Sequence, residues 1–154
     1  MSSTAPISKS AGGSACIWTV GLASLLTLLV YHRQFSDLFW FGDEWDQLDQ
    51  ISQAGFGPWV LHAFAENFVP LFKAFWGGLA LAGQGSYLVM LIALWLTHAI
   101  TVVSFGTLLR DAGFGLVGVI LPIALFGLAS CNIETLAWTI QWSAVLSCLF
   151  FLMA

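Results

Sequence analysis

Long apolar stretches constrain the fold of this chain more than any other feature. Residues 16–31 form an uninterrupted apolar run, and three more apolar stretches follow at residues 86–109, 113–129 and 134–154. Each is close to the ~20 residues that cross a bilayer as a helix. The chain is 59% hydrophobic with a mean hydropathy of +0.90, which is more apolar side chain than a core of 154 residues can bury. The sequence therefore predicts an all-α integral membrane protein.

The predicted organisation is a short tail followed by one membrane domain. Residues 1–15 are small and polar, which predicts a disordered tail, and residues 16–154 form the membrane domain. About four transmembrane helices are expected, at residues 16–35, 86–109, 113–130 and 134–154. We interpret the first span as an uncleaved anchor because no small-residue cleavage site follows it. The last span ends at Ala154 without a polar flank, so we expect this sequence to be the N-terminal part of a longer protein.

A polar and aromatic loop, residues 36–84, separates the first two spans and is predicted to carry one or two juxtamembrane helices. Residues 43–54 are amphipathic, with Trp45, Leu48 and Ile51 on the apolar side, and a Gly- and Pro-containing stretch ends this helix. Residues 59–83 are apolar but interrupted by polar side chains. These include Glu66, Asn67 and Lys73, each of which would cost about 2 to 3 kcal/mol at the bilayer centre. This segment is therefore predicted to be interfacial or partly embedded, and not a full span.

Charge placement predicts the orientation of the chain. Lys9 and Arg110 fall on one side if the spans alternate, whereas the loop acids and Glu134 fall on the other. Because cationic residues concentrate on the cytoplasmic side, the acids are expected to face outward. The net charge of −4 and the lack of a basic patch argue against nucleic acid as a partner.

The most polar stretch, FWFGDEWDQLDQ at residues 39–50, is the first candidate for a functional site. It holds Asp43, Glu44, Asp46 and Asp49, although charged residues make up only 8% of the chain. Such a cluster is either a solvated loop or a site for chemistry. The three cysteines lack metal-ligand spacing, and no metal or cofactor is expected. His98 lies within a span, where an imidazole more often bonds a neighbouring helix than takes part in catalysis.

Several of these segments together resemble the polytopic C-type glycosyltransferases, in particular the protein O-mannosyltransferase-like and lipid A sugar transferase-like membrane enzymes. The segments read DEW from Asp43, ENFVPLFK from Glu66, LTHAI around His98 and NIETLAW from Asn132. The resemblance covers residues 17–154 and corresponds to about the first third of such enzymes. It implies the transfer of a sugar from a polyprenyl-phosphate donor to an acceptor glycan, lipid or protein on the outer face of the membrane.

The resemblance also implies roles for individual residues. Asp43 takes the position of the general base that removes the proton of the attacking hydroxyl, and Glu44 is either its partner or the base itself. Lys73 would bind the lipid phosphate, although a lysine there can equally anchor a helix end. Glu66, Glu134 and Trp45 are candidates for sugar or acceptor binding, and Glu134 has the alternative role of a helix N-terminal acid.

Two other classes of protein remain open from the sequence. One is a non-catalytic membrane subunit or truncated product whose acidic loop binds a partner. The other is a transporter component whose carboxylates form a cation vestibule. A transporter should carry ionisable groups at bilayer depth in several helices, and here only His98 lies deep in a span.

Overall fold

The structure is a computed structural model that describes residues 11–36, 39–63, 67–130 and 132–154, and in these ranges it is all-helical. The helices are α1 (Ala11–Ser36), α2 (Asp43–Ala54), α3 (Phe56–Leu61), α4 (Pro70–Ala82), α5 (Tyr87–Asp111), α6 (Leu116–Leu128), α7 (Asn132–Ala137) and α8 (Trp142–Met153). A short 3-10 turn, Thr139–Gln141, lies between α7 and α8. The prediction of an all-α chain is confirmed for these residues.

Helices α1, α5 and α6 pack closely because glycines stand at their contacts. A Cβ atom on Gly21 of α1 would lie 2.5 Å from Val103 Cγ2 of α5, and one on Gly127 of α6 would lie 3.0 Å from Val102 Cγ2. Small residues at helix interfaces let backbones approach, a packing mode common in membrane bundles. The core of this bundle contains Ile17, Val102, Val119 and Ile123.

One hydrogen bond defines which ends of the helices lie together. Arg110 Nη1, at the end of α5, donates to Ser14 Oγ at the start of α1, over 2.8 Å. Helices α1 and α5 are therefore antiparallel, and the beginning of α5 lies at the opposite end of the bundle. Helix α4 and the Thr139–Gln141 turn contact α5, and α2 contacts this turn. At the beginning of α5, Trp40 donates to Gly85 O and Tyr87 donates to Ala137 O, so these elements lie at or near that opposite end.

A second and larger core is rich in tryptophan. Its fully buried side chains include Trp59, Trp76 and Trp95, and Trp40 and Trp142 are also buried. The sequence favours an aromatic belt at the membrane boundary for most of the tryptophans. That interpretation is wrong for Trp40, Trp59 and Trp142, because each is packed inside the protein and its indole N–H donates to a specific acceptor.

The predicted helices differ from the structure in four places. The loop at residues 36–84 carries three helices, α2, α3 and α4, among its described residues, where one or two were predicted. The tail was expected to reach residue 15, but α1 begins at Ala11, and residues 1–10 lie outside the described residues. The span predicted at 113–130 is a helix of 13 residues, which is roughly 20 Å long at 1.5 Å per residue. The span predicted at 134–154 is divided at Trp138 into α7, the 3-10 turn and α8.

Within the described residues, only α5 is long and apolar enough to cross a membrane by length and composition. Its exposed side carries Leu88, Ile92, Leu96 and Ile100, which form a continuous stripe because residues four apart share a helix face. Similar exposed apolar residues lie on α1, α6 and α8, among them Leu22, Leu121 and Phe151. Soluble monomers rarely expose apolar surface that is this continuous.

Candidate functional site

The break between α7 and α8, at residues 138–141, lies within the tryptophan-rich core and is the centre of a buried hydrogen-bond network. Where the helix is interrupted, Leu136 O accepts a hydrogen bond from Trp95 Nε1 at 2.7 Å, and Ala137 O accepts one from Tyr87 Oη at 2.8 Å. Buried backbone groups without partners are costly, so these two side chains of α5 compensate for the helical bonds lost at the break. The break is thereby built into the packing of α5.

Glu44, in the first turn of α2, provides further hydrogen-bond acceptors to this network. Its side chain is fully buried, and its Oε1 accepts hydrogen bonds from the Thr139 hydroxyl and from Ile140 N, the latter at 3.1 Å. Its Oε2 accepts a hydrogen bond from Phe41 N at 3.0 Å. Trp76 Nε1 in turn donates to Thr139 Oγ1 at 3.3 Å. One carboxylate therefore joins the start of α2 to the break between α7 and α8.

Burial and hydrogen bonding act in opposite directions on this carboxyl group. Burial raises the pKa of Glu44 above its ordinary value, while the hydrogen bonds from Thr139, Phe41 and Ile140 oppose that rise. The Thr139 hydroxyl accepts from Trp76, so its own proton is free to point at Glu44. The hydrogen bonds described for the carboxylate all come from donors, so they stabilise its charged form and offset part of the effect of burial.

Asp43 lies beside Glu44 but on the exposed surface of α2. Asp46 and Asp49 are exposed as well, so the three aspartates form an acidic stripe at spacings of three residues along the helix. Asp43 and Asp46 belong to the first turn, where the helix dipole stabilises negative charge. Trp45 is 49% exposed, and its ring centroid lies 5.4 Å from that of Phe39. An acid and an aromatic side chain are therefore accessible together at the start of α2.

Lys73 is placed differently from the expectation that it binds a phosphate. It is only 1% exposed, its Nζ donates to His62 O at 3.0 Å, and the ammonium lies 4.4 Å from the centroid of the Trp59 ring. Burial lowers the pKa of Lys73 below its ordinary value. Trp59 Nε1 donates to Gln47 Oε1 at 3.1 Å, so Lys73 and Trp59 connect α4 to α3 and α2. The ammonium is therefore bound by groups inside the protein and does not face solvent.

The other predicted residues lie apart from Glu44. Glu134 is exposed in the first turn of α7, where its charge suits the helix N-terminus. Glu66 lies outside the described residues. His98 is buried and its Nε2 lies 3.3 Å from Gly127 O, so it joins α5 to α6 as the sequence favoured. Within the described ranges, no three His, Cys, Asp or Glu side chains are arranged to hold a metal ion.

Sequence reasoning missed Thr139, Trp76 and Gln47, which complete the contacts of the acidic helix. One signal was available for Gln47. Glu44, Gln47 and Ile51 are spaced like one face of a helix, and this face is the one that the protein buries. The polar character of two of these residues pointed to solvent instead.

An open cleft lies between the start of α4 and α8. It encloses roughly 270 Å³ and is lined mostly by apolar side chains, including Phe72, Phe75 and Leu146, with the hydroxyls of Ser143 and Ser147 on the α8 side. A smaller cavity of about 160 Å³ lies beside His98 and Cys148. Neither cavity includes Asp43 among its lining residues.

The chain matches no protein-family model, and no curated protein or solved structure matches it significantly.

Proposed function

We propose that this chain is the membrane domain, or the N-terminal part of one, of a C-type glycosyltransferase. It transfers a sugar from a polyprenyl-phosphate donor to an acceptor hydroxyl on the outer face of a bacterial inner membrane. Asp43 is the general base: it removes the hydroxyl proton as the oxygen attacks the anomeric carbon, and polyprenyl phosphate leaves. A carboxylate is suited to this step because an alcohol is a poor nucleophile until its proton is removed.

The observation that carries the proposal is the contrast between the two adjacent acids at the start of α2. Asp43 is exposed, while Glu44 is fully buried and accepts three hydrogen bonds from described donors. A general base has to reach its substrate and also has to be held at a fixed position. Asp43 is exposed and can therefore reach a substrate, and its neighbour Glu44 holds it at a fixed position.

The membrane setting is supported by surface apolarity. The α5 helix is 25 residues long and its 18-residue apolar window has a mean hydropathy of 2.2. The exposed stripe on α5 and the exposed apolar residues of α1, α6 and α8 would lie against lipid chains. Arg110 and the start of α1 lie at one end of this bundle and α2 lies at the other, and this separation of charge supports an orientation in which the acids face outward.

Lys73 is left out of the proposed phosphate site because its ammonium is buried against Trp59 and donates to His62 O. Trp45 is retained as an acceptor or sugar contact, since its indole is half-exposed next to Asp43. Glu134, exposed at α7, and Glu66 remain candidates for binding hydroxyl groups.

A transfer assay tests the proposal. The protein that carries this chain is purified into vesicles of defined phospholipid and supplied with a panel of radiolabelled polyprenyl-phosphate sugars and a membrane extract as acceptor. We expect one donor to be consumed, with release of polyprenyl phosphate and labelling of an acceptor. Vesicles with Asp46→Asn serve as a matched control, since Asp46 is an exposed acid of the same helix turn, and they should retain transfer.

A non-catalytic membrane subunit is the second candidate, and one observation favours it. Glu44 and Lys73, two of the most polar residues of the loop, are both committed to contacts inside the chain. If no donor of the panel binds or is consumed, and the acidic stripe of α2 is instead protected from labelling by one stoichiometric protein partner, the subunit is correct and the enzyme is not.

A further inference from the structure

We infer that Glu44 is a positioning residue: it sets the location of Asp43 by fastening the first turn of α2 to the break between α7 and α8, and it does not react itself. This inference rests on the proposed role of Asp43 as the base. The break between α7 and α8 thereby has a role in positioning the acidic helix α2.

Asp43 and Glu44 differ in whether a substrate can reach them, and this difference distinguishes their roles. Glu44 is 0% exposed, and both of its oxygens are occupied by donors of the protein. An acceptor hydroxyl would have to displace Thr139, Ile140 or Phe41 to reach it. Consecutive residues of a helix point roughly 100° apart, so Asp43 faces another direction and is exposed.

The contacts of Glu44 hold the backbone on both sides of Asp43. On the N-terminal side, Glu44 Oε2 accepts from Phe41 N at 3.0 Å. On the C-terminal side, the Glu44 Cα is fixed because its side chain ends at the Thr139–Gln141 turn. Gly42, which lies between Phe41 and Asp43, has a φ of 52°, which glycine adopts readily, and the bond from Phe41 N to Glu44 closes this turn. Loss of the Glu44 bonds would free the residues that carry Asp43.

Conservative substitutions separate positioning from chemistry. In Glu44→Gln the amide NH₂ replaces one acceptor and would face an N–H donor at Phe41 or Ile140, so at least one bond is lost. Thr139→Val removes the hydroxyl donor and keeps the side-chain shape, whereas Thr139→Ser keeps the hydroxyl. Thr139 lies 95 residues from Glu44 in the chain, and its hydroxyl bonds both Glu44 and the Trp76 indole. An effect of Thr139→Val on Asp43 that is matched by Glu44→Gln is therefore transmitted through the Glu44 contact.

The experiment measures the mobility of position 43 directly and does not need activity. In the full protein with Cys16, Cys131 and Cys148 replaced by alanine, Asp43→Cys carries a nitroxide label for electron paramagnetic resonance. We expect a slowly moving label in this background, several-fold faster motion after Thr139→Val or Glu44→Gln, and slow motion again with Thr139→Ser. The control Asp46→Asn should leave the spectrum unchanged.

Turnover of the proteins with native Asp43 supplies the second readout. Thr139→Val should lower turnover by roughly 10-fold to 100-fold through misplacement of the base, with an unchanged pH profile, and Thr139→Ser should restore it. If the label at position 43 moves equally in all variants, the inference is wrong. It is also wrong if Glu44→Gln abolishes transfer and Thr139→Val leaves both transfer and label motion unchanged, since Glu44 would then react itself. If Glu44→Gln does not fold, the Thr139 pair decides. Label motion that follows the Thr139 pair without any transfer would overturn the proposed function and leave the fastening role of Glu44 in place.

Discussion

Asp43→Asn is expected to lower the turnover of sugar transfer by roughly 10²-fold or more while donor binding survives. The amide keeps the size of the side chain but cannot accept the proton of the attacking hydroxyl. Because Asp43 is exposed and takes no part in the buried hydrogen-bond network around Glu44, the fold should tolerate the change. Single-turnover transfer and binding of the labelled donor, measured on the same vesicles, separate the two effects.

A companion variant, Lys73→Met, tests whether the loss is specific to the base. The Lys73 ammonium is buried and donates to His62 O, so we expect this change to leave the apparent donor affinity unchanged. A large fall in donor affinity in Lys73→Met would return the phosphate-binding role to Lys73. Full transfer by Asp43→Asn would exclude Asp43 as the base.

The second large effect concerns the packing of α3 against α4. A Cβ atom on Gly77 would lie 2.4 Å and 2.8 Å from two atoms of the rigid Trp59 ring. Gly77→Ala must therefore displace Trp59, which also contacts Gln47 and Lys73, and we expect a loss of about 1–3 kcal/mol in the free energy of unfolding. Thermal unfolding in detergent, followed by tryptophan fluorescence, measures it.

The neighbouring glycine provides the matched control. A Cβ atom on Gly78 would meet only Phe56 Cζ, at 3.9 Å, which is ordinary contact. Alanine is the better helix former, so Gly78→Ala should leave stability unchanged or raise it by up to about 1 kcal/mol. Equal melting temperatures for the two variants would contradict the packing of Trp59 against α4.

The local features of the chain were predictable from sequence. The helix predicted at residues 43–54 is α2, and Gly55 ends it with a φ of 79°, which glycine adopts readily. Its predicted apolar side is wrong in part, because Trp45 of that side is exposed. The end of α5 is followed in the same way by a glycine, Gly113, with a φ of 89°. These features depend on neighbouring residues, which a single sequence displays.

The break at Trp138 and the roles of the two adjacent acids could not be predicted in the same way. Residues 134–154 contain no proline or glycine, so nothing local interrupts the helix. The interruption is stabilised by Tyr87 and Trp95 of α5 and by Glu44 of α2, which are distant in sequence. For the same reason Asp43 and Glu44 are equivalent in sequence, and only the tertiary partners of Glu44 distinguish them.

Labelling of single cysteines tests most directly whether a membrane-embedded bundle presents the acidic helix on its outer side. Asp49 of α2 and Asp111 at the end of α5 are both exposed, so each is replaced by cysteine in a protein without its native cysteines. Intact cells are treated with a membrane-impermeant maleimide before and after permeabilisation. We expect labelling of Asp49→Cys from outside and of Asp111→Cys only after permeabilisation. Labelling of Asp111→Cys in intact cells, or protection of Asp49→Cys, would contradict this orientation.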